Sequence, residues 1–179
     1  MVLYLGGKEL YAFIAQTGAV LSCDVGEENI EKIIIAEASE NAISAVKFAM
    51  DNQIPLLGVL DGYQGVICAF GGECAPVECA EGKQEWAVID ADMPVFKGLE
   101  SVVKVCRGSP VALVEETKPQ ELDCIARAET GEVLAVRNVL SSGGYGDIYA
   151  VNFYIHSSLT PNGIDIINNF LKIRVEGSK

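Results

Sequence analysis

The stretch Ile54–Gly72, IPLLGVLDGYQGVICAFGG, decides how the rest of the chain is interpreted. An apolar run through Leu60 meets a turn at Asp61-Gly62, and a second apolar segment closes on Gly71-Gly72. This pattern predicts a buried strand, a tight elbow and a helix that ends at the glycines. In α/β enzymes such an elbow presents a nucleophile above the sheet. Here the elbow carries a leucine, which has no nucleophilic atom.

The composition favours one acidic domain that spans residues 1–179. Half of the residues are hydrophobic, and 25 acidic against 13 basic residues give a net charge of −12. A chain of this length can bury a substantial core, and its negative charge argues against nucleic acid as a partner. No apolar run approaches the roughly 18 to 20 residues of a membrane span. The N-terminal MVLYLGGKEL lacks the basic region of a signal peptide, so we expect a cytoplasmic protein without a membrane partner.

The cysteine pattern favours reduced thiols over a metal site. None of the six cysteines forms a C-x-x-C pair, and the chain has one histidine. Cys74 and Cys79 are close enough in sequence to be considered as ligands, but the single histidine of the chain disfavours a metal site built from them. We therefore expect no metal and mostly buried thiols, including Cys68 on the helix after the elbow.

The remaining sequence first alternates strand and helix patterns. Apolar runs predict strands at 2–5, 19–23 and 32–36, and amphipathic periodicity predicts helices at 8–16 and 39–52, the second capped by Ser39. This βαβ order implies a mostly parallel sheet with right-handed crossovers.

After Gly72 the pattern changes to short strands separated by turn residues, which predicts a small antiparallel region. A final strand at 148–153 precedes a closing helix, with Thr160 as its N-cap and Pro161 as its first residue. The short strand candidates are Trp86–Ile89, Val102–Val105, Val111–Val114, Cys124–Ala128 and Val133–Arg137.

Five segments, in this order and spacing, resemble the motifs of one family, the class I glutamine amidotransferases. The family's G-x-C-x-G-x-Q, F-G-G, L-F-K-G-L, Y-G-V-Q-F and the tail after its H-P-E correspond to Gly58–Gln64, Ala69–Gly72, Val95–Leu99, Tyr149–Phe153 and Leu159–Gly163. The family includes the glutaminase parts of GMP synthetase and anthranilate synthase. The resemblance implies a flavodoxin-like α/β fold, with a mostly parallel central sheet flanked by helices and a small antiparallel region in the second half.

The same resemblance implies that the catalytic triad is degenerate. In the family a cysteine attacks the glutamine carboxamide, a histidine is its base, and a glutamate orients the histidine. These positions fall on Leu60, Tyr154 and His156. The family's oxyanion turn, G-G-P, reads Glu37-Ala38-Ser39, and its S-H segment falls around Gly108-Ser109. We therefore expect no glutaminase activity and no cofactor.

A remnant pocket near the elbow is expected to be lined by Glu37, Asp61, Tyr63, Gln64 and Ser109. Two interpretations stay open. The first is a catalytically inactive protein with a binding, regulatory or scaffold role, which contacts a synthase-type partner or a second copy of itself. The second is a glutamine amidotransferase, or another hydrolase or transferase, that uses a non-standard site at Asp61, at His156 or at a cysteine.

Overall fold

Eleven strands and four helices make up the part of the chain that the computed structural model describes, which is residues 1–24, 26, 28–37, 40–78, 81–138 and 147–173. The strands are β1 (Val2–Leu5), β2 (Leu21–Ser22), β3 (Lys32–Ile35), β4 (Leu56–Val59), β5 (Cys74–Pro76), β6 (Gln84–Ile89), β7 (Val102–Cys106), β8 (Val111–Leu113), β9 (Leu122–Ala128), β10 (Val133–Asn138) and β11 (Ile148–Val151). The helices are α1 (Lys8–Ala15), α2 (Glu40–Asn52), α3 (Asp61–Ala69) and α4 (Gly163–Lys172), with short 3₁₀ turns at Pro94–Phe96 and Glu115–Thr117.

Nine of these strands form one sheet in the order β2-β1-β3-β4-β11-β10-β9-β6-β7. The first five run parallel, and the last four continue the same sheet with antiparallel pairings. The α/β fold with a parallel sheet and an antiparallel second half is therefore confirmed. The antiparallel part comprises the four strands β10, β9, β6 and β7, and it continues the central sheet instead of forming a separate one.

A second sheet of two strands joins β5 to β8. The strand at Val111–Leu113 was predicted, whereas its partner at Cys74–Pro76 was not. Three residues that include a proline give neither alternation nor an apolar run, so this strand depends on its pairing rather than on local sequence.

The helices cover both faces of the sheet. Residues of α1 and α4 share one apolar cluster with alternate residues of the strands, such as Tyr4. Residues of α2 and α3 share a second cluster with the opposite strand residues, such as Leu3. Because side chains alternate across a strand, apolar residues in succession mark strands that are buried on both faces.

The closing helix begins later than the sequence predicts, and Thr160 is not its N-cap. The helix starts at Gly163 with Asn162 as the capping residue. The buried hydroxyl of Thr160 instead donates to the carbonyl of Tyr154 at 2.8 Å and accepts from the N–H of Cys106 at 2.9 Å. Threonine hydroxyls compete for backbone groups in this way, and here the competition connects the 154–160 loop to β7.

The expectation of mostly buried thiols is wrong for the described cysteines. Cys106 is buried, Cys74 and Cys124 are half-buried, and Cys23 and Cys68 are exposed, all as free thiols. Cys68 lies on the outer side of α3 because the inner side is taken by residues such as Val66 and Ile67. Cys79 and the predicted cap Ser39 lie outside the described residues.

Within the same residues, no helix is long and apolar enough to cross a membrane.

Candidate functional site

The predicted elbow is present, and Leu60 is its central residue. Leu60 lies between β4 and α3 with φ 56° and ψ −109°. Its N–H donates to the carbonyl of Val151 at 2.9 Å, and its own carbonyl accepts from the N–H of Tyr63 at 2.8 Å. A positive φ at a leucine costs about 1–3 kcal/mol and persists only where the surroundings fix it. The backbone thus keeps the shape that presents a nucleophile, although the side chain is apolar.

Two glycines hold this elbow by allowing backbones to approach. A Cβ on Gly58 would lie 2.5 Å from the carbonyl oxygen of Gly62, and a Cβ on Gly62 would lie 2.1 Å from the carbonyl oxygen of Ile35. Both distances are far below van der Waals contact. The two glycines flanking Leu60 are therefore required by packing, whatever chemistry the elbow carries.

The side chain of Leu60 extends toward the loop that follows β7. Leu60 is half-buried and packs on the apolar cluster of α1 and α4. A Cβ on Gly108 would come within 2.7 Å of the Cδ2 atom of Leu60. Leucine thus places methyl groups beside Gly108, at the position that the resemblance aligns with the family's cysteine.

Tyr154, which the resemblance aligns with the family's histidine, is a hydrogen-bond donor. Its hydroxyl donates to Oε1 of Glu81 at 3.2 Å. Burial raises the pKa of Tyr154, and the hydrogen bond and charge of Glu81 raise it further, with smaller contributions from Cys106 and Asp61. The phenol therefore stays protonated at neutral pH and cannot accept a proton from a neighbouring group.

His156, which the resemblance aligns with the family's glutamate, faces α1. Its Nε2 lies 3.9 Å from Oε2 of Glu9, and its ring lies edge-on to the ring of Tyr154 at 5.9 Å and near Phe13 at 6.5 Å. The side chain is 19 % exposed, and its Nδ1 is buried without a hydrogen-bond partner. Burial lowers the pKa of His156, and the charge of Glu9 partly opposes this.

The other predicted lining residues are distributed around the elbow. Asp61 begins α3, and Gln64 follows on the same helix, both half-buried. Glu37 is exposed at the end of β3, and its charge contributes, after burial and Cys23, to raising the pKa of Tyr4 to about 12. Ala38 and Ser39 of the expected oxyanion turn lie outside the described residues.

Tyr63 is a core residue and does not line a pocket. Its side chain is fully buried in the apolar cluster of α2 and α3. Its hydroxyl donates to the carbonyl of Val133 at 2.8 Å and accepts from the N–H of Leu113 at 3.3 Å. Because it points from α3 onto the sheet, Tyr63 joins β10 and β8 instead of facing the elbow.

Sequence reasoning missed three residues that complete the site. Glu81 and Glu9 pair with Tyr154 and His156, and no local pattern marks either of them. Asn152 is buried, and its Nδ2 donates to the carbonyls of Ser109 at 3.2 Å and Val111 at 2.5 Å. It thereby fixes the loop after β7 beside the elbow. The sequence feature that could have identified Asn152 is its position inside the Tyr149–Phe153 motif.

Residues 17–173 match the glutamine amidotransferase class-I family. The chain belongs to this family. It is 27 % identical over 149 residues to anthranilate synthase component 2 of Archaeoglobus fulgidus, covering 83 % of this chain and 78 % of the relative. It is 28 % identical over 162 residues to the glutamine-hydrolysing GMP synthase of Caldanaerobacter subterraneus, covering 85 % of this chain and 30 % of that longer protein.

A solved structure from Thermoplasma acidophilum, described as that of a candidate GMP synthase subunit, shares the amidotransferase fold. Its TM-score is 0.79 at 19 % identity, over 96 % of this chain and 92 % of that chain. The elbow of this chain carries Leu60, and the resemblance aligns Leu60, Tyr154 and His156 with the family's cysteine, histidine and glutamate. In the part of the chain that is described, no group of three or more potential ligands lies together to hold a metal ion.

Proposed function

We propose that this chain is a catalytically inactive amidotransferase-fold subunit with a binding, regulatory or scaffold role. The observation that carries the proposal is Leu60, which occupies the strained elbow at φ 56° with an apolar side chain. Glutamine hydrolysis in this family proceeds through a covalent thioester, and a leucine cannot form one. The elbow's backbone therefore serves the fold, and its chemistry is absent.

The neighbouring groups support the same proposal. Tyr154 stays protonated, and its hydroxyl donates a hydrogen bond to Glu81. Glu37 places a carboxylate at the end of β3, where the family offers N–H groups to a negative intermediate, and a carboxylate there opposes such charge. The residues that would act as the base and as the oxyanion donors are thus replaced, as is the nucleophile.

A synthase-type protein is the proposed partner, in the cytoplasm and without a cofactor. The relative from A. fulgidus is named as component 2 of a synthase, which implies assembly with another component for that protein. A chain that keeps the family's scaffold can keep a surface for such assembly after its chemistry is lost. Self-association of this chain is the alternative form of the same role.

One observation favours a second candidate, an enzyme with a non-standard site. Tyr154 lies near three ionisable groups. Its hydroxyl donates to Glu81, its ring lies edge-on to that of His156 at 5.9 Å, and the charge of Asp61 contributes to raising its pKa. Such a group of polar side chains could transfer protons or activate water. In that case Asp61 or His156 would be the reacting residue.

Ammonia release from glutamine distinguishes the two candidates. We expect the purified chain, alone and with a synthase from the same organism, to release no more ammonia than a Leu60→Ala variant. We also expect Leu60→Cys to remain inactive, because the base and the oxyanion donors are still missing. Release that depends on Asp61 or His156, shown by its loss in Asp61→Asn or His156→Gln, would establish the second candidate instead.

The binding role is tested by size-exclusion chromatography with light scattering. A complex with the synthase, formed equally by the wild type and by Leu60→Cys, is the expected result. A homodimer that excludes the synthase would support self-association, and a monomer that binds no synthase would contradict the proposed partner.

A further inference from the structure

An apolar groove lies on the sheet face that α2 covers, away from the Leu60 elbow. Its volume is about 370 Å³, and its walls come from Leu3 and Leu5 of β1, Ile33 of β3, and Ala45 and Phe48 of α2. Phe48 is 44 % exposed, which is high for a phenylalanine. The groove is as large as many ligand pockets, and its lining is predominantly apolar.

The topology explains why this groove is open. The order β2-β1-β3 requires the chain to pass over β1 between β2 and β3. Since α1 lies on the other face, a right-handed crossover passes on the face of the groove. Crossovers in parallel sheets usually contain a helix that covers the sheet. The described residues of this connection, which are 23, 24, 26 and 28–31, form no helix, although Ile30 lines the groove.

A helix is therefore the element whose shape suits the groove. Its floor is a β-sheet and one wall is α2, so the open space has the position that a crossover helix occupies in comparable sheets. A helix with apolar side chains at i, i+3, i+4 and i+7 could place that stripe against Leu3, Ile33 and Phe48. The described residues of the connection between β2 and β3 supply no such helix, and a helix of another molecule is the occupant that we consider.

The charged residues near the groove indicate which charge a bound helix would carry. Glu37 lines one end of the groove, and the crossover carries Asp24, Glu28 and Glu31, of which Glu31 pairs with the N-terminal amine at 3.1 Å. Lys47, which precedes Phe48 on α2, is not among the residues that line the groove. A second copy of this chain would bring the same carboxylates and another net charge of −12, so repulsion opposes self-pairing here.

We propose that the groove binds an amphipathic, basic helix of another protein, with aliphatic residues toward the sheet and lysine or arginine toward the acidic rim. Leu60, Tyr154 and His156 do not line the groove. The inference therefore holds whether or not the elbow hydrolyses glutamine, and Glu37 is the point at which the groove meets the candidate site.

A designed peptide tests this directly. The probe is a short helical peptide with leucine on one face and lysine on the other, and its twin replaces each lysine by glutamate. Titration of the full chain, followed by amide NMR, should move signals of β1, β3 and α2 with the lysine peptide and leave them unmoved with the glutamate twin. Phe48→Glu should weaken binding of the lysine peptide by about tenfold or more.

Val88→Glu is the matched control. Val88 is an exposed apolar residue of β6, at 54 % exposure, and the substitution adds the same charge outside the groove. Ala45→Trp, which fills the groove, provides a second variant, and its fold is checked by circular dichroism. We expect Ala45→Trp to weaken binding as Phe48→Glu does, and Val88→Glu to change affinity by less than about twofold.

Four outcomes would overturn the inference. They are no binding of the lysine peptide, equal binding of the glutamate twin, equal weakening by Val88→Glu, and signal changes confined to strands outside the groove. Sedimentation of the free chain tests the remaining occupant, because a dimer that Phe48→Glu dissociates would assign the groove to a second copy.

Discussion

Leu60 shows that a strained elbow can carry a side chain without a nucleophilic atom. A leucine at φ 56° costs free energy, yet the position cannot relax, because its N–H bonds Val151 and its flanking glycines interlock with neighbouring backbone. Changing the elbow would disturb β4, β11 and α3 together. The retained geometry is therefore evidence for a shared fold, whereas the side chain decides whether the elbow is reactive.

His156 makes stability depend on pH. Burial lowers its pKa below the ordinary value of 6.5, so the folded state favours the neutral imidazole. The resulting stability is full above the unfolded pKa and is lost as the pH falls through the lowered folded pKa. We expect His156→Gln to lose less unfolding free energy than the wild type between about pH 7.5 and about pH 5, measured by urea denaturation.

Glu9 provides the control for this prediction. Its carboxylate opposes the effect of burial on the pKa of His156, so Glu9→Gln should lower that pKa further. The loss of stability toward acid should then become steeper than in the wild type. The same dependence on pH in His156→Gln and wild type would show that the histidine does not cause it.

At the scale of elements, Gly62 links α3 to β3. Alanine has the higher helix propensity, by about 1 kcal/mol, so propensity alone predicts that Gly62→Ala stabilises the chain. The added Cβ would however lie 2.1 Å from the carbonyl oxygen of Ile35, and a backbone atom cannot easily move away. We expect Gly62→Ala to reduce the free energy of unfolding by at least about 2 kcal/mol, measured by denaturant titration.

Gly7→Ala is the matched comparison. Gly7 precedes α1 with φ −75°, and nothing lies within 4 Å of a Cβ built there. Its change in unfolding free energy should stay within about 0.5 kcal/mol, because the reduced freedom of the unfolded chain offsets a weaker helix cap. If both variants unfolded at the same denaturant concentration, the close approach at Gly62 would not be what requires glycine.

Elements were predictable where local sequence determines them. The apolar runs of β3 and β4 and the periodicity of α2 predicted the correct elements. A strand that is buried on both faces is apolar throughout, whereas a helix that is buried on one face has apolar residues at helical spacing. The start of α4 was not predictable, since Thr160 bonds Cys106, more than fifty residues earlier. The strand Cys74–Pro76 likewise depends on its partner.

The sequence predicts positions for the candidate site, but not the contacts that those residues make. Motif spacing identified Leu60, Tyr154 and His156, and the structure places them near the same end of the parallel strands. Glu81 and Glu9, which contact the tyrosine and the histidine and raise the pKa of each, come from distant segments without a motif of their own. Tyr63 was expected to line the pocket because it lies in a motif of the family, but its side chain is part of the core.

At the scale of the whole molecule, the negative charge is unevenly distributed along the chain. Residues 1–82 carry twelve carboxylate side chains and three lysines, whereas residues 83–138 carry ten carboxylates and seven basic side chains. The first part supplies Glu9, Glu37 and Asp61 of the candidate site, together with the rim of the apolar groove. A basic partner would therefore be attracted to the same part of the molecule that carries the proposed binding surfaces.

This distribution predicts that salt stabilises the isolated chain. Exposed ion pairs such as Arg127 with Glu115, at 2.6 Å, contribute little in water, so screening mainly removes repulsion among carboxylates. Raising NaCl from about 20 to about 200 mM should increase the melting temperature by a few degrees. Calorimetry should also show a smaller salt effect in Glu28→Lys than in Glu129→Lys, because Glu28 lies in the more acidic part. A melting temperature that falls with salt would mean that attractive pairs dominate, and the acidic surface would then stabilise the free chain instead of favouring a bound one.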